Sequence, residues 1–177
     1  MPLIEMTVGS QWSSAIDWHK FGSDSATAAL AVTPYASLLA DSLSTEISIK
    51  LSDNEEVQKL NDSYRRKNRP TNVLSFPLVD KNHLGLLSKR EKAEILLGDI
   101  ILAKSVCQTE ADEKQIPLER HVSHLIVHGT LHLLGYDHQD EAEALLMERL
   151  EVKALETIGI ANPYLEDSVK KDKINAR

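Results

Sequence analysis

The order of hydrophobic periodicities along the chain is the feature that most constrains its fold. Period-two alternation and short β-branched runs occur before residue 104, whereas the last third carries apolar residues at helical spacing. Strands are predicted at residues 3–8, 46–51, 73–79 and 98–103, and helices at residues 25–43, 54–65, 104–115, 118–134 and 140–158. A long loop containing His83 and Gly85 is expected between the last two strands. This pattern predicts an α+β fold, in which about five helices pack on a small mixed sheet of about four strands.

The chain length indicates one domain. Its 177 residues are assigned to a single domain at residues 1–166 and a polar tail at residues 167–177. Cys107 is the single cysteine, which excludes an internal disulfide and a cysteine-rich zinc site. A chain of this length builds a sufficient core without cross-links, so any bound metal is expected to be functional. The sequence contains neither a membrane-spanning apolar run nor a signal-peptide pattern, and a cytoplasmic protein is expected.

Charge and aromatic content narrow the choice of partners. The formal net charge is -7, which disfavours a protein that coats nucleic acid through its overall field. Aromatic residues make up 5% of the chain, too few for an extended base-stacking platform. A nucleic-acid partner would therefore have to bind at a local basic patch.

Histidines are concentrated in one segment, since five of the seven fall between positions 121 and 138. His124, His128 and His132 are four residues apart and share one helix face. The first and third of them are separated by about 12 Å along the axis, so only an adjacent pair can share one ion. Gly135 is a typical helix terminator that lets the chain reverse, which favours His128, His132 and His138 as a metal triad with an open fourth position. The rival pair is His124 with His128.

Gly129 bears on the kind of hydrolysis that such a centre could perform. In the His-Glu-x-x-His motif of zinc proteases a glutamate acts as general base, and Gly129 stands in its place here. The peptidase interpretation therefore loses its main chemical support. Three neutral imidazoles also leave the full double positive charge of the ion uncompensated, which suits an anionic substrate such as a phosphodiester.

A short basic segment points to the same chemistry in an otherwise acidic protein. Arg65, Arg66, Lys67 and Arg69 lie within five residues of one another. Guanidinium groups grip phosphate oxygens in a bidentate fork, so this segment could hold an RNA backbone close to a metal. A solvated charge run at the C-terminus of a helix is the equally reasonable alternative.

Three segments together resemble the YbeY family of zinc-dependent endoribonucleases, which are implicated in ribosomal RNA maturation. The most specific is His-Gly-Thr-Leu-His-Leu-Leu-Gly-Tyr-Asp-His at residues 128–138. Tyr64-Arg65 with Pro-Thr-Asn-Val-Leu-Ser-Phe-Pro at residues 70–77, and Leu-Gly-Asp-Ile at residues 97–100, resemble the two other recurrent segments of the family. The likeness extends over about residues 51–163.

The resemblance implies one α+β domain that binds one Zn²⁺ ion through His128, His132 and His138 and uses them with Arg65 to cleave RNA. The implied activity is hydrolysis of phosphodiesters in single-stranded RNA, and the implied partners are ribosomal RNA and the small ribosomal subunit. Arg66 departs from the glycine that commonly follows the motif arginine in this family. 

The sequence leaves other roles and functions open. Asp99, Asp137 and His124 also lie in matching segments, as candidates for hydrogen bonds to the ligand histidines or for capping and packing. One alternative function is a metal-dependent peptidase or amidase. Another is a ribosome-assembly binding protein whose metal is structural.

Overall fold

A four-stranded mixed sheet forms the centre of the computed structural model, which describes residues 1–165. The strands are β1 (Leu3–Val8), β2 (Leu43–Ser52), β3 (Val73–Pro77) and β4 (Ala93–Ala103), in the spatial order β1-β2-β4-β3. β1, β2 and β4 are parallel, and β3 is antiparallel to β4 at one edge. The predicted α+β class and the mixed four-stranded sheet are confirmed.

Six α-helices surround this sheet in the described part of the chain. They are α1 (Trp18–Ala31), α2 (Asn54–Arg65), α3 (Lys81–Leu87), α4 (Lys104–Lys114), α5 (Leu118–Leu133) and α6 (Glu141–Thr157). A 3₁₀ turn at Ala36–Leu39 follows α1. The predicted bounds of α2, α4, α5 and α6 agree with the structure to within one residue at each end.

Two predictions, one of a helix and one of a loop, are wrong. The helix predicted at residues 25–43 instead begins at Trp18, where Asp17 caps it by accepting a hydrogen bond from the Lys20 amide at 3.0 Å, and it ends before Pro34. The loop predicted around His83 and Gly85 contains α3, because Asp80 caps a short helix there. In both cases a side-chain cap determines the start of the helix.

The bounds of three strands also differ from the prediction. β2 spans Leu43–Ser52 rather than residues 46–51. β3 ends at Pro77 rather than at residue 79. β4 begins at Ala93 rather than Gly98. A bulge interrupts the alternation of its first half and hides it in the sequence: Glu46 pairs with Leu96 and Ile47 with Gly98, which leaves Leu97 as the extra residue.

α5 is the central helix of the fold, and most of its circumference is buried. Val122 and Ile126 pack into the core that covers the sheet, whereas Val127 and Leu131 pack into a second cluster with α1 and α6. The histidine face therefore lies along a narrow strip that only partly reaches solvent.

The end of the domain predicted at residue 166 and the tail predicted at residues 167–177 lie outside the described residues. Among residues 1–165, no helix combines the length and the hydropathy needed to cross a membrane.

The bulge in β4 generates a prediction about stability. Gly98 has φ +145°, and a Cβ placed there would lie 2.2 Å from the Phe76 carbonyl oxygen. Gly98→Ala should lower the free energy of unfolding by about 1–3 kcal/mol from backbone strain alone, and by more once β3 shifts to relieve the clash. Gly85→Ala is the matched control, since its Cβ would meet nothing within 4 Å in α3. This variant should raise the free energy of unfolding by about 0.5–1 kcal/mol. Urea denaturation measures both, and equal stabilities would contradict the prediction.

Candidate metal centre and its cleft

Three imidazoles meet at the C-terminal end of α5. His128 and His132 lie one turn apart on this helix, with ring centroids 4.6 Å apart. Gly135 follows the helix at φ +83°, and its amide donates to the His132 carbonyl at 3.0 Å. The chain then reverses, so that the His138 ring lies 5.5 Å from the His128 ring and 5.1 Å from the His132 ring.

Hydrogen bonds orient the two helical rings toward a common point. The Nδ1 of His132 lies 2.9 Å from the Tyr136 carbonyl oxygen, which can only accept, so this nitrogen carries the proton. The Nδ1 of His128 likewise donates to the Glu151 carboxylate. In the neutral rings both Nε2 atoms are therefore lone-pair donors, and they face each other at 3.0 Å.

This donor set fits a divalent cation. One ligand atom from each of the three histidines lies within 4.8 Å of the other two. Bonds of about 2.1 Å in a tetrahedral site place nitrogens about 3.4 Å apart, close to the distance between the His128 and His132 Nε2 atoms. Burial, together with the neighbouring His128 and His138, lowers the pKa of His132 to about 4. The His132 ring is therefore neutral at physiological pH, as a metal ligand must be.

Glu151 is the main residue of the site that the sequence analysis missed. Its carboxylate is 1% exposed and lies between α5 and α6, where it accepts hydrogen bonds from His128, from His124 Nε2 at 3.2 Å and from the Tyr164 hydroxyl. Burial alone would raise the pKa of Glu151, but the hydrogen bonds from His124 and His128 outweigh it and lower the pKa to about 2. An ionised carboxylate therefore binds the Nδ1 atom of His128 and fixes the orientation of the ring.

A signal for Glu151 exists in the sequence. It follows Met147 by four residues and precedes Ala154 and Leu155 by three and four, so it lies on the apolar stripe of α6. A carboxylate on such a stripe indicates a buried partner.

The remaining helical histidines have structural partners. His124 is buried and hydrogen-bonded to Glu151, and it lies outside the three-histidine group. His121 is 2% exposed, and its Nε2 lies 2.6 Å from the Glu110 carboxylate. Glu110 also accepts hydrogen bonds from Asn72, which ties the start of β3 to α4 and α5.

At Gly129, α5 packs closely against the sheet. A Cβ at this position would lie 3.1 Å from both Ser75 Oγ and Ile100 Cγ2. A glutamate where zinc proteases carry their general base would therefore require these two side chains to shift by a few tenths of an ångström.

Arg65 and the three histidines line one cleft of about 670 Å³, and β3 forms one of its walls. Arg65 is the last residue of α2 and is exposed. In residues 1–165 neither Arg65 nor the cations of the following loop form an ion pair with a carboxylate. Asn61 fixes the loop by donating from its side chain to the Arg69 carbonyl oxygen at 2.8 Å.

Arg66 occupies the left-handed position that ends α2, with φ 54° and ψ 36°. This conformation favours glycine, which gives a physical reason for the glycine expected at this position. The Arg66 amide closes the last turn of α2 by donating to the Asp62 carbonyl oxygen at 2.9 Å.

The two aspartates have different surroundings. Asp137 accepts a hydrogen bond from the His138 amide at 2.8 Å and another from the Gln139 side chain at 2.7 Å, so it shapes the loop that carries His138. Asp99 is exposed and pairs with Phe76 across β3 and β4, facing away from the histidines.

Comparison with known proteins finds one family and several relatives that carry its name. The family described as Endoribonuclease YbeY matches residues 12–159. Proteins named Endoribonuclease YbeY are 47% identical in Sphingopyxis alaskensis and 49% identical in Rhizorhabdus wittichii, each match covering 92% of this chain and 97% of the relative. The Zymomonas mobilis protein of that name is 45% identical, over 97% of this chain and 98% of its own length.

A solved structure shows the same fold. The solution structure of a Thermotoga maritima protein superposes with a TM-score of 0.52 at 19% identity, over 88% of this chain and 91% of that one. The family match and the relatives nearly half identical in sequence show that this chain belongs to the YbeY family of endoribonucleases.

Proposed function

We propose that the protein is a zinc-dependent endoribonuclease that hydrolyses phosphodiesters in single-stranded RNA during ribosomal RNA processing in the cytoplasm. The observation that carries the proposal is that three convergent imidazoles share one open cleft with Arg65, which forms no ion pair within residues 1–165. Family membership supports cleavage of RNA. The identity of the metal as zinc and of the substrate as small-subunit ribosomal RNA are proposed in addition to family membership.

Each group in the cleft has a role in this reaction. His128, His132 and His138 would hold the ion, which would act as a Lewis acid toward a phosphate oxygen and the nucleophile. Glu151 and the Tyr136 carbonyl fix the rings of His128 and His132 and keep their Nδ1 atoms protonated. Arg65 binds the phosphate and stabilises the charge that develops on it in the transition state.

A direct assay separates this function from its alternatives. The zinc content of the purified protein is measured by elemental analysis, and the same sample is incubated with single-stranded RNA, duplex RNA and unstructured peptide. We expect about one zinc per chain and cleavage of the single strand. Peptide cleavage without RNA cleavage would favour a peptidase, and zinc-loaded protein that binds ribosomes but cleaves neither substrate would favour an assembly factor.

The ligand set predicts a contrast between two histidine variants. His138→Ala should lower zinc stoichiometry sharply after dialysis, because it removes one of three ligands. His124→Ala should leave zinc near one per chain, since His124 bonds to Glu151 instead. Elemental analysis decides, and the opposite ranking would support the pair of His124 and His128.

The buried carboxylate predicts an effect on metal affinity. Glu151→Gln removes the charge that holds the His128 ring and should weaken zinc binding by about 10- to 100-fold. Glu148→Gln is the matched control, because Glu148 is exposed on the same helix. Competition with a chromophoric chelator measures both variants. Equal affinities in the two would show that Glu151 has no part in holding the ligand.

The basic loop predicts a graded effect on cleavage. Arg65→Ala should lower the RNA cleavage rate by about 10²- to 10³-fold without changing zinc content, and Arg65→Lys should recover only part of it because the bidentate fork is lost. Arg66→Gly and Arg69→Ala should weaken RNA binding modestly and reduce its salt dependence by about 0.7 in slope per lost contact. Wild-type rates in all the variants would show the loop to be only a solvated face.

A further inference from the structure

A second cleft lies directly behind the wall of the first. It has a volume of about 610 Å³ and is formed on the outer face of the sheet by α2, β2, β3 and β4. The two clefts share Tyr64, Ser75, Phe76 and Pro77 as lining residues. A single extended ligand can therefore contact both clefts by crossing this shared wall.

The shared wall carries an exposed aromatic ring. Tyr64 is 70% exposed, and its ring contacts Phe76 edge-on, with centroids 5.0 Å apart and an interplanar angle of 61°. Leu78, 63% exposed, continues the apolar surface into the second cleft. Tyr64 and Arg65 are consecutive residues of α2, and both line the first cleft, where Arg65 is assigned to the phosphate.

The charges of the second cleft do not suit a phosphate. Among the described residues that line it, the cation is Lys50, which forms an ion pair with Glu56 at 2.7 Å. Asp99 adds a further carboxylate, and Ser48 adds a neutral hydroxyl. The apolar wall and these hydrogen-bonding groups match a flat heterocycle with polar edges, whereas the histidines and Arg65 match an anion.

We infer that the second cleft is a nucleobase subsite, in which Tyr64 stacks on one base of the RNA while the adjacent phosphate lies in the histidine cleft. This inference rests on the proposed ribonuclease function and adds a binding determinant to it. The low aromatic content of the chain is no obstacle, since one exposed ring serves one base. Duplex RNA keeps its bases stacked inside the helix, so the subsite favours single strands.

The test combines side-chain variants with abasic substrates. A short single-stranded RNA is prepared in versions that each lack one base, and kcat/KM is measured with zinc-loaded wild-type protein. Removal of the base at one position is expected to lower kcat/KM by roughly 5- to 150-fold, the range typical of a lost base–aromatic stack. In Tyr64→Ala, kcat/KM for the intact RNA should fall by a similar factor. Removing the base at the same position should then lower kcat/KM no further.

Conservative variants separate stacking from packing. Tyr64→Phe should retain the wild-type abasic profile, whereas Tyr64→Leu, which keeps apolar volume without a π-face, should lose it. Leu146→Ala is the control, since it removes an exposed apolar side chain from α6 outside both clefts. Thermal melting checks that each variant is folded.

A binding measurement without cleavage provides the second readout. Uridine 5′-monophosphate should shift nuclear magnetic resonance signals of Tyr64 and Phe76, and ribose 5-phosphate should leave them unchanged. Intact RNA after incubation with wild-type protein would overturn the ribonuclease function itself. Wild-type cleavage with an abasic profile that is the same in Tyr64→Ala, or a Tyr64→Leu variant that behaves like Tyr64→Phe, would overturn the subsite alone.

Discussion

The geometry of the three-histidine site depends on one buried carboxylate. Removing an ionised carboxylate from water costs several kcal/mol, and the cost is offset only where hydrogen bonds satisfy its oxygens. Glu151 meets this condition through His124, His128 and Tyr164. The same bonds join α6 to α5 and fix the His128 ring, so the packing of two helices and the direction of a metal ligand depend on one interaction.

The histidine triad could be predicted because its causes are local. A spacing of four residues places His128 and His132 on one face of any regular helix. Gly135 ends the helix because only glycine adopts φ +83° without strain, and the short loop that follows brings His138 back. Helix periodicity and one glycine were therefore sufficient to predict that these three rings converge.

Other parts of the structure depend on contacts distant in sequence, and the sequence patterns did not reveal them. The role of Glu151 requires the register of α6 against α5, although its place on an apolar stripe was a usable signal. α3 has too few residues to show a period, and its start depends on the Asp80 cap. The bulge at Leu97 shifts the alternation of β4, which is why the sequence pattern revealed only the second half of that strand.

The close packing of α5 on the sheet determines which charges the cleft presents. At Gly129 the helix approaches Ser75 and Ile100 so closely that an added Cβ would lie 3.1 Å from both side chains, which would have to shift to admit it. The residue after His128 in the chain is thus a glycine, and the Glu151 carboxylate that contacts His128 is bonded to its Nδ1 atom. Arg65 adds positive charge opposite the imidazoles. With a divalent ion bound, this cleft would attract any anion, a peptide carboxylate as well as a phosphodiester. Selection for a phosphodiester would therefore rest on Gly129, which replaces the protease general base, and on the Arg65 guanidinium, which can bind two phosphate oxygens at once.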